Sequence, residues 1–256
     1  LKNVPVRNSN KVKLVSLAPS NTEIIYRLGL EEDLVATTSL CDHPREAREK
    51  NSVGGWTSGI DFEKIREINP DLVLTSDSLQ DKAVEELEGL EVLHLTPQTV
   101  EEVFESIREI GKKLDAEEKA EETVKDMKES LEGLETDSPA RIYCEEWTDP
   151  PMASGNWIPG LVERIDGEYF LEEGERSREF ELEKLKHFDP EYIFLNVCGA
   201  RTNIDPEKVL ERPEWQDITA VENGDVYVID DTLLNRPGPR LVKGAEKIAE
   251  KINKAP

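Results

Sequence analysis

Histidine and cysteine are scarce in this chain, with three of each in 256 residues. His43, His94 and His187 are too dispersed to supply a metal cluster, so no resident metal is expected. His94 falls in a predicted strand and His187 just before a helix stop, both structural positions. Cys41, Cys144 and Cys198 are odd in number and form no CxxC pair, which supports neither a zinc knuckle nor a disulfide framework. Cys144 and Cys198 end predicted strands and read as small core residues. No apolar run approaches the roughly 18 residues that a membrane helix needs. Basic residues are also few: 32 Lys and Arg against 56 Asp and Glu leave a net charge of −24. That balance argues against nucleic-acid binding, which needs a basic footprint, and against docking on anionic lipid without a separate anchor. Residues 1–13 are polar and lack a signal-peptide apolar core. The expectation is either a cytoplasmic protein or a chain whose leader or anchor has been removed.

Catalytic signatures are missing too. There is no Gly-rich phosphate loop after a strand, no GxSxG elbow and no HExxH. Ser20 and Ser154 have no paired base at a recognisable spacing, so no catalytic residue is assigned. Acidic pairs such as Glu145-Glu146 carry no signal where acids are so abundant.

What is present is a repeat. Phe62-Glu63-Lys64-Ile65-Arg66-Glu67-Ile68-Asn69-Pro70 is followed by the apolar Leu72-Val73-Leu74. The same plan returns 120 positions later as Leu182-Glu183-Lys184-Leu185-Lys186-His187-Phe188-Asp189-Pro190, followed by Tyr192-Ile193-Phe194. Each copy is a short amphipathic helix, an Asn/Asp-Pro stop and a buried parallel strand. Two such copies predict two similar α/β lobes with a ligand-sized cleft between them.

Further elements fill in each lobe. Strands are expected at 13–17, 34–38 and 91–95, with helices after Ser20 and at 79–87. Ser20 with Glu23 has capping-box spacing, and Leu28-Gly29 stops that helix. From 99 to 134 the apolar spacing gives two helices joined near Leu114-Asp115, with a second capping box at Asp115 and Glu118. The second of them, about 19 residues, would span roughly 28 Å and reads as a rigid linker. Strands at 141–144 and 226–229, with helices at 158–165 and 240–252, complete the chain. The domain division expected is 1–98 for the N-terminal lobe, 99–137 for the helical segment and 138–256 for the C-terminal lobe.

In parallel α/β sheets the ligand loops lie at the carboxyl ends of strands. Trp56, Trp147 and Trp157 fall in such loops, while Trp215 reads as a packing residue at a helix end. Arg201, Arg236 and Arg240 share these loops, and Cys41 and His43 share another. Trp offers a flat face at low entropic cost and Arg offers fixed donors. Three of four tryptophans at loop mouths suit a large, partly flat ligand; the Cys41–His43 loop reads first as a plain turn, with binding a metal or reaching that ligand as its alternatives.

The ordered set Val15-Ser16-Leu17-Ala18-Pro19-Ser20-Asn21-Thr22-Glu23, Cys41-Asp42-His43-Pro44, Asn69-Pro70-Asp71-Leu72-Val73, Pro150-Pro151-Met152-Ala153-Ser154-Gly155 and Arg236-Pro237-Gly238-Pro239-Arg240 resembles the substrate-binding proteins of cobalamin and ferric-siderophore ABC importers. The likeness runs from about residue 13 to 253. It implies two Rossmann-like lobes bridged by one long helix, little hinge closure, a ligand in the cleft and no enzymatic activity. The cobalamin-binding members are matched best. Trp56 then stands where their tryptophan packs on the corrinoid, with one extra residue before Glu63. Ser76 and roughly Ser177 replace two other aromatic cleft positions, for which Trp147 and Trp157 would compensate. The resemblance further implies that Glu63 and Glu183, one per lobe, meet arginines on the two permease subunits. It implies an extracytoplasmic location, with cobalamin as cargo and not as cofactor. A ferric-siderophore or haem cargo is the alternative if Arg201, Arg236 and Arg240 converge on an anion. A metal-cluster enzyme on a similar scaffold would need more thiols than Cys41 and Cys198.

Overall fold

The structure is a computed structural model that describes residues 12–55, 58–134, 136 and 139–254. It divides into two compact units at the Thr96–Pro97 junction. The first holds a five-stranded parallel sheet in the order β3-β2-β1-β6-β7. Its strands are β1 (Leu14–Ser16), β2 (Leu34–Thr37), β3 (Asn51–Ser52), β6 (Leu72–Ser76) and β7 (Val92–Leu95). A separate antiparallel pair, β4 (Gly54–Gly55) and β5 (Gly59–Ile60), forms a small hairpin. Helices α1 (Pro19–Arg27), α2 (Phe62–Ile68) and α3 (Asp81–Glu86) connect the strands. The sheet buries Val15, Leu17, Ala36, Val53, Ile65, Val73 and Leu87 in one cluster.

In the second unit β8 (Ala140–Thr148) is the central strand, flanked by β12 (Tyr192–Leu195) and by β9 (Pro151–Ala153). Beyond them lie β13 (Val226–Val228) and β11 (Arg178–Glu179), and β10 (Gly167–Glu168) also pairs with β8. Pairing is parallel except at β8–β9 and β9–β11. The sequence reading ended the central strand at Cys144; instead it runs on to Thr148 and turns back as a hairpin. Helices α4 (Val100–Lys113), α5 (Glu117–Glu132), α6 (Ile158–Glu163), α7 (Leu182–Phe188), α8 (Glu207–Leu210), α9 (Thr219–Asn223) and α10 (Leu241–Ile252) complete this unit. Its core is aromatic: Tyr143 packs edge-on to Phe180 and Trp215, with ring centres 5.5 and 5.8 Å apart. The two helices expected at 99–134 are both present and both group with this unit, where α5 packs on α4 and α10.

The repeated unit is reproduced to the level of backbone angles. α2 ends at Asn69 with φ 48 and ψ 66, and α7 at Asp189 with φ 49 and ψ 70. Both are left-handed caps, the conformation that Asn and Asp tolerate best after glycine. A second correspondence was not legible in sequence. The backbone N–H of Lys13 donates to Asp71 at 2.8 Å, and that of Arg141 to Glu191 at 3.0 Å. In each copy the acid just after the helix-stop proline ties the new strand to the unit's first strand.

Helix starts went differently. Neither expected capping box forms. Pro19 takes the first turn of α1 and the N-cap is Ala18, which leaves Ser20 buried inside the helix, in keeping with proline's fitness for that turn. Asp115 adopts φ 52, a turn between α4 and α5, and the α5 N-cap is Ala116 without a side-chain bond. A true capping box joins Thr99 and Glu102 at the head of α4. The stop at Gly29 holds: its N–H bonds Tyr26 O while Leu30 N–H bonds Ile25 O, the paired bonds of a Schellman end.

Candidate functional site

In the first unit the strand order reverses between β1 and β6, since α1 carries the chain to β2 on one side and α3 carries it to β7 on the other. Open α/β sheets bind ligands at such a switch point, beyond the carboxyl ends of the strands. A pocket of about 270 Å³ lies there. Leu17 follows β1, Thr38 follows β2, and Leu79 and Gln80 follow β6; all four line it, together with Leu40, Ile60 and Phe62. Its walls are mostly hydrocarbon. Leu40 is 46% and Leu79 71% exposed, two large apolar side chains left uncovered in one depression.

The small hairpin forms one wall. Gly55 and Gly59 line the pocket. A Cβ on Gly55 would come within 2.1 Å of Ser39 Oγ, so the hairpin lies close against the loop after β2. Trp56 and Thr57, between those glycines in the chain, lie outside the described residues.

The polar floor is satisfied from within. Gln80 accepts from Ser76 N–H at 2.8 Å and donates to Leu17 O at 2.9 Å, and Thr38 Oγ1 is 3.3 Å from the Cys41 sulfur. Cys41 is buried beneath the loop, while His43 is exposed beyond it, at a cis bond to Pro44 and not among the pocket residues.

In the second unit the carboxyl end of the sheet carries a buried polar layer. Glu145 on β8 is fully buried and takes two bonds from Arg212, at 2.6 and 2.8 Å, and one from the Tyr143 hydroxyl at 3.1 Å. Burial nevertheless raises its pKa, outweighing Arg212 and Tyr143. Arg212 also bonds Thr148 O at 3.0 Å and lies 4.3 Å from the Trp215 ring centre. It thereby clamps the loop before Trp215 to the β8–β9 hairpin. Asn196 completes the layer, bonding Ser154 at 2.9 Å and Asn235 at 2.7 Å.

The predicted ligand residues divide. Trp147, near the end of β8, is 48% exposed, its ring nitrogen donating to Asp149 O at 2.9 Å. Trp157 is the correction: only 6% exposed, it donates to Leu234 O at 2.8 Å and starts α6. It is a packing residue, because the turn ahead of α6 points its ring into the core. Arg201 and Arg240 do converge on an anion, but the protein supplies it. Arg201 lies 3.8 Å from Asp230, and Arg240 bonds Thr232 Oγ1 at 3.0 Å, the same Thr232 that donates to Asp230. Burial opposes the Asp230 charge, yet the Thr232 bonds and the two arginines prevail and hold its carboxyl below the usual range. Arg236 is half-buried in the same loop region. Glu63 and Glu183 are exposed in the first turns of α2 and α7, as the repeat implied. Ser76 is buried at the end of β6, and Ser177 donates to Glu146 at 2.6 Å. Cys198, expected in the core, is exposed past the end of β12.

Sequence reasoning missed the Glu145–Arg212 pair and most of the pocket wall. The phase of Glu145 with Tyr143 on one strand, and Leu79 stranded among Ser and Asp just after a strand end, were the available signals.

The pattern of the family described as Periplasmic binding protein matches residues 14–233. An uncharacterized ABC transporter substrate-binding lipoprotein of Bacillus subtilis (strain 168), YvrC, is 30% identical over 255 residues, covering 94% of this chain and 79% of that protein. The Vitamin B12-binding protein of Vibrio parahaemolyticus is 26% identical over 249 residues, covering 93% and 88%. Among solved structures, the periplasmic haem-binding protein HutB of Vibrio cholerae superposes with a TM-score of 0.80 at 18% identity, covering 94% of this chain and 98% of that one.

Proposed function

The chain belongs to the periplasmic binding protein family, whose members are substrate-binding proteins of ABC transporters and not enzymes, and from that premise we propose that it captures a corrinoid and passes it to the permease dimer of an ABC importer. The observation that carries this reading is the apolar pocket at the switch point of the first unit, with Leu40 and Leu79 uncovered on its wall. A corrinoid presents a broad hydrocarbon face, and burying such a face is the main source of its affinity. The relative named Vitamin B12-binding protein, matched over 93% of this chain, supports the same cargo.

Trp56, which follows the pocket-lining Gly55, is the aromatic assigned to the corrinoid face, and the half-exposed Trp147 is the second candidate. Trp157 leaves the set because its ring is buried and its N–H is engaged. His43 keeps only a rim position. Glu63 and Glu183, exposed on matched helices, are assigned to permease docking. The protein would work outside the cytoplasm, as the lipoprotein and periplasmic names of its relatives suggest. Among the described residues no helix is long and apolar enough to cross a membrane.

A haem or ferric-siderophore cargo is the second reading, favoured by the fold shared with a haem-binding protein. It asks Arg201, Arg236 and Arg240 to receive the ligand's anions, and two of those arginines already serve Asp230. For the metal-cluster alternative, among the described residues no group of three or more His, Cys, Asp or Glu side chains could hold a metal ion.

The test is direct. The protein is incubated separately with cyanocobalamin, haemin and a ferric siderophore, desalted, and its visible spectrum recorded. A stoichiometric corrinoid spectrum is expected; retention of haemin or the siderophore alone, or of no chromophore, defeats the proposal.

A further inference from the structure

The rim of a corrinoid differs chemically from that of a haem, with neutral primary amides in place of carboxylates. A primary amide needs a donor for its oxygen and an acceptor for its N–H group. Within the pocket wall the uncharged polar side chains are already engaged: Thr38 with Cys41, and Gln80 with Ser76 and Leu17. Two lining residues carry charge, Lys82 and Glu86. They stand four positions apart on α3, which places them on one face of the helix. Among the described residues neither charged group has a hydrogen bond or ion pair.

α3 is fixed at both ends. Asp81, its first residue, bonds His94 Nε2 at 3.0 Å, and that ring's other nitrogen bonds Thr75 Oγ1 at 2.7 Å. At the far end Arg66 donates to the carbonyls of Glu86 at 2.6 Å and Glu88 at 3.1 Å. The helix is short, yet clamped from β7 and from α2, so the two charged side chains spring from a rigid base.

We propose that Lys82 and Glu86 form an amide-reading pair on the lip of the pocket. The Lys82 ammonium donates to a peripheral amide oxygen, and the Glu86 carboxylate accepts from the same amide's N–H group. A carboxylate in that place keeps the attraction of Lys82 but meets Glu86 with like charge, and an alkyl group satisfies neither. The pair therefore selects amide-rimmed ligands against acid-rimmed ones. This inference rests on the corrinoid reading above.

Calorimetric titration with cyanocobalamin and with its separated monocarboxylic acids, each having one peripheral amide hydrolysed, tests it. The unmodified protein should bind at least one monoacid about tenfold more weakly than cyanocobalamin, the order of one charge-assisted hydrogen bond. Glu86→Lys should reverse that preference for the same monoacid, and Lys82→Met should weaken both ligands. Thermal unfolding of each variant, unchanged, confirms that these exposed substitutions leave the fold intact. Equal affinity of the unmodified protein for all the monoacids and cyanocobalamin, or a preference untouched by Glu86→Lys, overturns the pair while leaving corrinoid binding in place. Failure to bind any corrinoid overturns the parent reading and this one with it.

Discussion

Replacing Arg212 by Met isolates the largest electrostatic commitment in the second unit. Glu145 is fully buried, and the Arg212 side chain is 15% exposed. Met keeps much of the stem packed near Trp215 but removes two bonds to the carboxylate and one to Thr148 O. Glu145 is then left with the Tyr143 hydroxyl alone. Breaking one side of a buried pair costs about 3–5 kcal/mol, because the remaining charge is stranded. The pH dependence gives the mechanism away. In the native protein burial already lifts the Glu145 pKa above its ordinary value even with Arg212 present. A carboxyl whose folded pKa is raised favours folding when protonated. Its contribution is therefore full below the unfolded value, about 4.3, and is lost as pH rises through the folded value. Without Arg212 the folded value climbs further and the loss at neutral pH deepens. Urea unfolding of Arg212→Met at pH 7 and pH 5 should show a deficit of about 3–5 kcal/mol that shrinks at the lower pH. Adding Glu145→Gln should recover part of it. A deficit below about 1 kcal/mol, or one flat across that range, would refute the reasoning, since a surface pair behaves that way.

Leu79→Ser should leave urea stability within about 0.5 kcal/mol, as expected of exposed positions, yet weaken cyanocobalamin by about 1.5–3 kcal/mol in calorimetry if the ligand covers this side chain. The two helix stops should part company under the same substitution. Asn69→Gly should be neutral or stabilising in thermal unfolding, because glycine bears the left-handed angle without cost. Asp189→Gly should destabilise by about 1–3 kcal/mol, because Asp189 also accepts from Thr219 N–H and Oγ1, both at 2.9 Å. Reversing charge at Glu63 and Glu183 together should leave cyanocobalamin affinity unchanged and impair binding to the cognate permease reconstituted in nanodiscs. Unimpaired docking, or lost cyanocobalamin affinity, would strip these residues of the delivery role.

The sequence by itself determined whatever depends on neighbours along the chain. An amphipathic helix, an Asn/Asp-Pro stop and an apolar triplet leave the backbone few choices, so both copies of the repeat were legible as helix, stop and strand, while the left-handed angles of the two stops came from the structure. The ordered motifs carried the family as well, being a record of local turns spread over nearly the whole length. Helix starts fared worse, because Ser20 and Asp115 satisfy a capping pattern only if the backbone there is extended. Pro19 settled the first and the turn at Asp115 the second. Tertiary structure alone decided which polar and aromatic residues are buried and which stay exposed. Trp147 and Trp157 look alike in sequence, yet one remains half in solvent and the other is buried with its N–H spent on Leu234. Arg201 and Arg240 read as ligand donors until folding brought them to Asp230, thirty or so positions from the first and ten from the second. Glu145 passed unnoticed among 56 acids, since its one local signal, a strand face shared with Tyr143, does not point to Arg212, 67 positions away, which it meets only in the assembled sheet. Burial and charge pairing are long-range quantities, and only the assembled sheet assigns them.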